Sequence, residues 1–229
     1  MRNEDVDWDG LQKTYFESMW VWGDNKASSD EAARLGVSIS DLKSLGAGYH
    51  SGYRAITYPM KDAGGRIVGI RIVRANGDGR SSKFAVKGSR NGLFYPSTIS
   101  GMPYYPPGRS YWIIAEGESD VLAAMYAGIP YVVGIPGCTS AVGQLAKFMR
   151  RMVGKTRDDG PRIVIMLDAD PAGQAGAAKI AGRMGEFGRQ AIVLPPPEPF
   201  KDIRQWVNAG AGQRSIIEHI ESMKHETRR

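Results

Sequence analysis

The chain has 229 residues, 42% hydrophobic and 24% charged, with 30 Lys and Arg against 24 Asp and Glu for a formal charge of +6. That length supports one large or two small cores, and the mild basicity suits a polyanionic partner without requiring one. One cysteine and three scattered histidines (His50, His219, His225) exclude a disulfide framework and a Cys-rich zinc finger; with no membrane-length apolar run and a polar start, MRNEDVDWDG, a soluble cytoplasmic protein with no membrane partner is expected.

Residues 1–27 are polar with interspersed aromatics and read as a helix docked on the core. SSDEAARLG places Ser28 three residues before Glu31, the spacing of a capping box, and ends at Gly36; SISDLKSLGAG repeats the cue with Ser40 and Gly46. From 53 to 96 short β-rich runs, RAITYPM, RIVGIRIVR and KFAVKG, are separated by DAGG and ANGDG, which predicts a small antiparallel sheet. SGMPYYPPGR at 100–109 is a Pro/Gly-rich connection and the expected domain boundary. Beyond it, apolar runs alternate with helical patterns: strands in YWIIAEG, PYVVGIPG, RIVIMLDAD and QAIVLPPP, helices in ESDVLAAMYAG, TSAVGQLAKFMRRM, AGQAGAAKIAGRMGEFG, KDIRQWVNAG and QRSIIEHIESMKH. This alternation implies a mostly parallel sheet with helices on both faces.

In such sheets ligands bind beyond the carboxyl ends of the strands. Glu116 ends YWIIAE, and Asp168 and Asp170 end IVIMLDAD, so both strand ends open on one crevice if the strands are parallel. Alternate residues of a strand share a face, which turns the two aspartates to one site if the extended backbone persists that far. Gathered carboxylates repel unless something positive compensates them, and a hard cation such as Mg²⁺ (or Mn²⁺) is a natural compensation. The same two residues also read as an N-cap and a turn aspartate at a βα junction, and spacing leaves both readings open.

EGESDVLAA followed by LDADPAGQAGAAKIA resembles the TOPRIM domain, shared by DnaG-type primases, type IA and II topoisomerases, OLD-like nucleases and RecR-like proteins. The resemblance, over about residues 110–208, implies a general acid/base role for Glu116 and a metal-binding role for Asp168 and Asp170. Asp120 stands where primase-like members keep an acidic residue, and Lys201 and Asp202 match a late Lys-Asp motif of primases. On this basis the expected metal set is Glu116, Asp120, Asp168, Asp170 and Asp202, with Glu116, Asp168 and Asp170 catalytic.

Residues 54–90 carry nine basic residues (Arg54, Lys61, Arg66, Arg71, Arg74, Arg80, Lys83, Lys87, Arg90) against Asp62 and Asp78, an excess of seven that exceeds the whole chain's net charge of +6. With Tyr53, Tyr58 and Phe84 interleaved, this suits a single-stranded nucleic-acid track, cations holding phosphates and rings stacking bases; an ordinary solvated sheet face has the same charge pattern. ITYPMKDAGGRIVGIRIVR with KFAVKGSRNGLFYP resembles the amino-terminal half of a primase core, Lys83 and Phe94 matching the ends of its basic motif. Arg71, Arg74, Lys83, Lys87, Arg90 and Lys201 are the expected nucleic-acid or nucleotide contacts.

The resemblance implies an α/β fold: a TOPRIM domain with C-terminal helices at 109–229, preceded by a basic antiparallel-sheet subdomain at 51–108 and a helical segment at 1–50. It implies a DNA primase-like nucleotidyltransferase of phage or mobile-element type, making RNA primers from NTPs on single-stranded DNA in replication. A TOPRIM nuclease and a non-catalytic single-strand-binding module are the alternatives. The family's zinc-binding domain and a helicase domain have no counterpart here, so a replicative helicase or separate zinc-binding protein is an expected partner. VGKT (153–156) lacks the first glycine of a phosphate-binding loop, and GAGYHSG and PPPEP read as loops. Cys138 reads as a small buried thiol, and the Gly137–Ser140 turn as a helix start that alternatively cradles a phosphate.

Overall fold

The computed structural model describes residues 6–23, 26–75, 81–97, 99, 111–153, 161–186 and 188–226. The connection at 100–109, residues 76–79 of the ANGDG turn and residues 154–156 of VGKT lie outside these.

Three helices open the chain: α1 (Trp8–Trp20), α2 (Lys26–Leu35) and α3 (Ile39–Leu45). α1 is capped by Asp7, whose side chain accepts from Gly10 N–H. The capping expectations shift: α2 begins at Lys26, so Ser28 lies inside it, buried, and α3 is capped by Ser38 rather than Ser40. Ser38 and Asp41 exchange the two bonds of a capping box there, and Gly46 ends the helix at φ 87°.

β1 (Gly48–His50), β2 (Ala55–Lys61), β3 (Ile67–Ala75) and β4 (Ser81–Ala85) form an antiparallel sheet in that order. β1 corrects the reading of GAGYHSG as loop: a three-residue edge strand carries no periodicity, and its pairing with β2 defines it. The DAGG turn is tied by Asp62, whose Oδ1 accepts from Gly64 and Arg66 N–H.

β5 (Tyr111–Glu116), α4 (Gly117–Tyr126), β6 (Val132–Ile135), α5 (Val142–Val153), β7 (Arg162–Ile165), α6 (Pro171–Gly185), β8 (Ala191–Val193), α7 (Ile203–Asn208) and α8 (Gln213–Glu226) follow. Their four strands form a wholly parallel sheet in the order β6-β5-β7-β8. Both faces are covered, as the near-continuous apolar strands require. Ile113, Ala115, Val132 and Val164 pack into one core with α4, α7 and α8; Trp112, Ile114, Val133 and Ile163 pack into another with α5 and α6.

The first of these cores continues through Leu42 and Leu45 of α3 and Ile56, Tyr58 and Val73 of the antiparallel sheet. Leu93 and Phe94 stitch the sheets together. Leu93 exchanges backbone bonds with Lys61 on β2, and Phe94 with Gly134 on β6, at 2.7–2.9 Å. The pair therefore holds the basic sheet beside the parallel one.

Candidate active site

Glu116 is the last residue of β5 and the N-cap of α4, so the helix starts directly beneath its side chain. The chain turns at Gly117, whose φ of 81° would strain any residue with a Cβ. Glu116 Oε1 accepts the Cys138 N–H at 3.2 Å, while Oε2 is buried with no hydrogen-bond partner. Burial, then the nearby Asp168 charge, pushes this carboxyl above the ordinary glutamate range.

The β7 ladder ends at Ile165, so Asp168 and Asp170 lie in the loop beyond it rather than on continued strand. Asp170 is the N-cap of α6, Oδ1 accepting from Gly173 N–H at 2.9 Å. The capping reading of this aspartate thus holds, and its second oxygen is left for other work. Lys201 Nζ stands 3.2 Å from both Asp168 Oδ2 and Asp170 Oδ2. Asp168 is raised by burial, with Lys201 opposing; Asp170 is lowered by the Gly173 N–H and then Lys201. Gly173 is where α6 meets the loop: a Cβ there would sit 2.1 Å from the Asp168 carbonyl oxygen, so a larger residue would displace the acidic pair.

Asp120 and Asp202 face the first turn of α7 instead. Asp202 is its N-cap, accepting from Gln205 N–H at 2.7 Å, and Asp120, itself buried, accepts from Arg204 N–H at 3.0 Å. Burial, then Asp202, pushes the Asp120 carboxyl well up. The five carboxylates named from sequence do not close into one cage, and among the described residues no three Asp, Glu, His or Cys side chains are placed to enclose an ion.

The donor set nonetheless fits a hard cation. Mg²⁺ takes one or two carboxylates and fills its remaining positions with water and phosphate oxygens. Two carboxylates already share one cation, the Lys201 ammonium, and the orphaned Glu116 oxygen lies in the same charged neighbourhood.

The basic sheet meets this crevice through two of its predicted cations. Arg71 on β3 donates to the Pro136 carbonyl at 3.1 Å, two residues before the Cys138 that bonds Glu116. Lys83 on β4 pairs at 2.6 Å with Glu118 of α4, a residue only 3% exposed. Strand register puts Arg71 and Lys83 on one face and Arg74, opposite Ser82, on the other. Lys87 and Arg90 are exposed in the turns after β4.

Several sequence expectations need correction. Tyr58 is fully buried, its hydroxyl donating to Glu31 at 2.9 Å, so it offers no ring to a base; every residue of β2 is buried. Lys61 is also buried and unavailable to phosphates. Tyr53, by contrast, is half exposed, edge-on to Phe84 at 5.3 Å. Cys138 is half-buried and packs against the core beneath α5 and α6, and two amides of the 137–140 turn are already engaged, Cys138 by Glu116 and Ser140 by the Gly137 carbonyl. Glu118 escaped the sequence reading; its one signal was a third acid in EGESD, with no indication of a partner. A separate cavity of about 600 Å³ lies between α1, α2 and the antiparallel sheet, lined by Met19, Arg34, Ile56 and Val73 among others, and contains none of the acidic site.

Residues 113–206 match the Toprim-like family model, a span that runs from β5 to α7 and includes Glu116, Glu118, Asp120, Asp168, Asp170 and Asp202. The chain carries a TOPRIM domain on a DnaG-like fold. A DnaG primase catalytic domain bound to ssDNA superposes with a TM-score of 0.68 at 16% identity, covering 93% of this chain and 79% of that one. The E. coli primase catalytic core gives 0.69 at 16%, covering 94% and 78%. The primase fragment of the bacteriophage T7 primase-helicase gives 0.57 at 21%, covering 82% and 72%. At these identities the likeness is one of fold. No curated protein matches the TOPRIM chain in sequence. No described helix is long and apolar enough to cross a membrane.

Proposed function

We propose that this TOPRIM protein is a primase-like nucleotidyltransferase that joins ribonucleotides on a single-stranded DNA template, with Mg²⁺ or Mn²⁺ as cofactor. The observation that carries the reading is the Asp168–Asp170 pair gathered on one cation beside a carboxyl raised by burial, Glu116, with the basic sheet's Arg71 and Lys83 against the same region. Phosphoryl transfer asks a protein for positioning and charge neutralisation more than for covalent chemistry.

Asp168 and Asp170 would hold the cation, with Glu116 beside them; Asp120 and Asp202 add negative charge while fixing α7. The bound ion would neutralise phosphate charge and polarise the oxygens of the reacting group. In the reaction, the 3′-hydroxyl of one nucleotide attacks the α-phosphorus of the next and diphosphate leaves. Glu116 Oε2, lacking any hydrogen-bond partner, is the atom placed to exchange a proton with a reacting oxygen. Arg71 and Lys83 would hold phosphates, and the exposed Tyr53 with Lys87 and Arg90 would track the template strand. The similar T7 fragment comes from a primase-helicase protein, which supports a replicative helicase as partner here.

Incubation with single-stranded DNA, labelled NTPs and Mn²⁺ tests this. New oligonucleotides that vanish in an Asp168→Asn, Asp170→Asn variant are expected. Shortened DNA would instead make the protein a nuclease at the same site, and binding without either product a non-catalytic module.

A further inference from the structure

Lys201 is held by its backbone to the loop whose charge it neutralises. Its carbonyl accepts from the N–H of Ala169, the residue between the two aspartates, at 2.7 Å, and its own N–H donates to Gln205 Oε1 at 3.0 Å. The side chain is anchored only at its tip, where Nζ reaches Asp168 and Asp170, and it is 53% exposed. Four methylenes with staggered alternatives let the ammonium swing into water without breaking either backbone bond. Among the described residues, no other cation lies within ion-pair distance of these two carboxylates.

Removing that cation has a definite electrostatic effect. Two carboxylates this close and uncompensated disfavour each other's ionisation. A divalent ion is the stronger compensation, but it has to take the place Nζ now fills.

We propose that Lys201 is a built-in counter-cation of the Asp168–Asp170 pair, occupying the metal position until a divalent ion displaces it towards the substrate phosphates. The proposal rests on reading Asp168 and Asp170 as the metal-binding pair. Lys201 then weakens divalent binding in the free protein while keeping the acidic loop formed without metal. The displaced ammonium remains on a pinned backbone, within a side chain's length of the ion's ligands, which suits it to grip a phosphate as the metal enters.

The test is Mn²⁺ binding, followed by the electron paramagnetic resonance signal of the free ion, on the full chain without nucleotide or DNA. Lys201→Met should bind Mn²⁺ about tenfold more tightly than wild type, the order expected for losing two partly exposed ion pairs that the metal had to break. Its melting temperature in EDTA should fall, and its stabilisation by Mn²⁺ should exceed that of wild type. Lys201→Arg, which keeps the charge, should stay within about twofold of wild type. Equal or weaker Mn²⁺ binding by Lys201→Met overturns the proposal, as does tightening in Lys201→Arg as large as in Lys201→Met. Should Lys201→Met not fold, Lys201→Gln carries the same expectation. Asp168→Asn, Asp170→Asn separates the layers: if it removes the Mn²⁺ site while Lys201→Met leaves affinity unchanged, only the counter-cation idea fails, and if it leaves Mn²⁺ binding intact the metal reading falls too.

Discussion

Lys61 offers the sharpest check on the energetics of the fold, because a buried ammonium without a carboxylate partner is costly and its cost depends on pH. The residue ends β2 and is 6% exposed; Nζ donates to the Tyr95 carbonyl at 3.0 Å and to Ser97 Oγ at 3.2 Å, and lies 5.0 Å from the Tyr95 ring centroid. Neutral oxygens and a ring face compensate only part of the lost hydration. Burial therefore lowers its pKa from 10.5 to about 8. The sign follows from proton counting: between about pH 8 and 10.5 the unfolded chain holds this proton more firmly, so stability rises with pH through that window. At roughly 1.4 kcal/mol per pKa unit, the full window is worth about 3 kcal/mol, of which about 2 should be gained between pH 7 and 9.5. The buried tyrosines Tyr58 and Tyr95, both raised by burial, oppose it only weakly until the pH nears the ordinary tyrosine value of 10.0. The assay is urea denaturation of wild type and Lys61→Met at pH steps from 7 to 9.5, subtracting one curve from the other so that shared groups cancel. Wild type should gain about 2 kcal/mol on the variant across the series. A difference that stays constant with pH, or moves the other way, would refute the placement of a charged lysine in this core.

Two further outcomes come from the same contacts. Lys83→Met leaves the buried Glu118 carboxylate without its 2.6 Å partner and should cost about 2–3 kcal/mol, less than a fully buried pair because the lysine side chain is 37% exposed; Lys83→Met with Glu118→Gln should regain more than half of that in denaturant melts, and a double variant no more stable than the single one would show the pair does not hold the sheets together. Gly173→Ala should cost about 1–3 kcal/mol in thermal melts because its Cβ meets the Asp168 carbonyl, whereas Gly182→Ala, on the same helix with nothing within 4 Å, should stabilise by about 0.5–1 kcal/mol; equal effects at both positions would contradict the close approach of α6 to the acidic loop.

The parallel half was legible because its strands are buried on both faces, and YWIIAE, VVGI and RIVI announce that as unbroken apolar runs. Helix starts were less so: Ser28 and Ser38 carry the same local chemistry, and only packing decides that one is interior and the other a cap. AITYPMK misled for a related reason. Basic residues with interleaved rings suggested one wet face, but α2 supplies Glu31 to accept from the Tyr58 hydroxyl, so the ring is buried with its polar end satisfied. For the candidate site, the TOPRIM-like motifs pointed to Glu116, Asp168 and Asp170 yet gave no means of finding the charges around them. Lys83 and Glu118 are distant in sequence and meet across the two halves, whereas Lys201 reaches the two aspartates from the connection after the neighbouring strand β8.

Those counter-charges bear on which acid would move a proton in the proposed reaction. A proton carrier needs a carboxyl oxygen that is free to meet the reacting group. Glu118 is held by Lys83, Glu31 by Arg34 and Tyr58, Asp168 and Asp170 by Lys201, Asp120 by the Arg204 N–H and Asp202 by the Gln205 N–H. Glu116 has one amide bond, at 3.2 Å, and it alone among the described carboxylates keeps a buried oxygen with no partner. The acidic neighbours that Lys201 neutralises are also those whose charge, once exposed, drives the Glu116 proton affinity up. Burial remains the first cause of that shift, with Asp168 and Asp170 adding to it and Lys201 opposing it least.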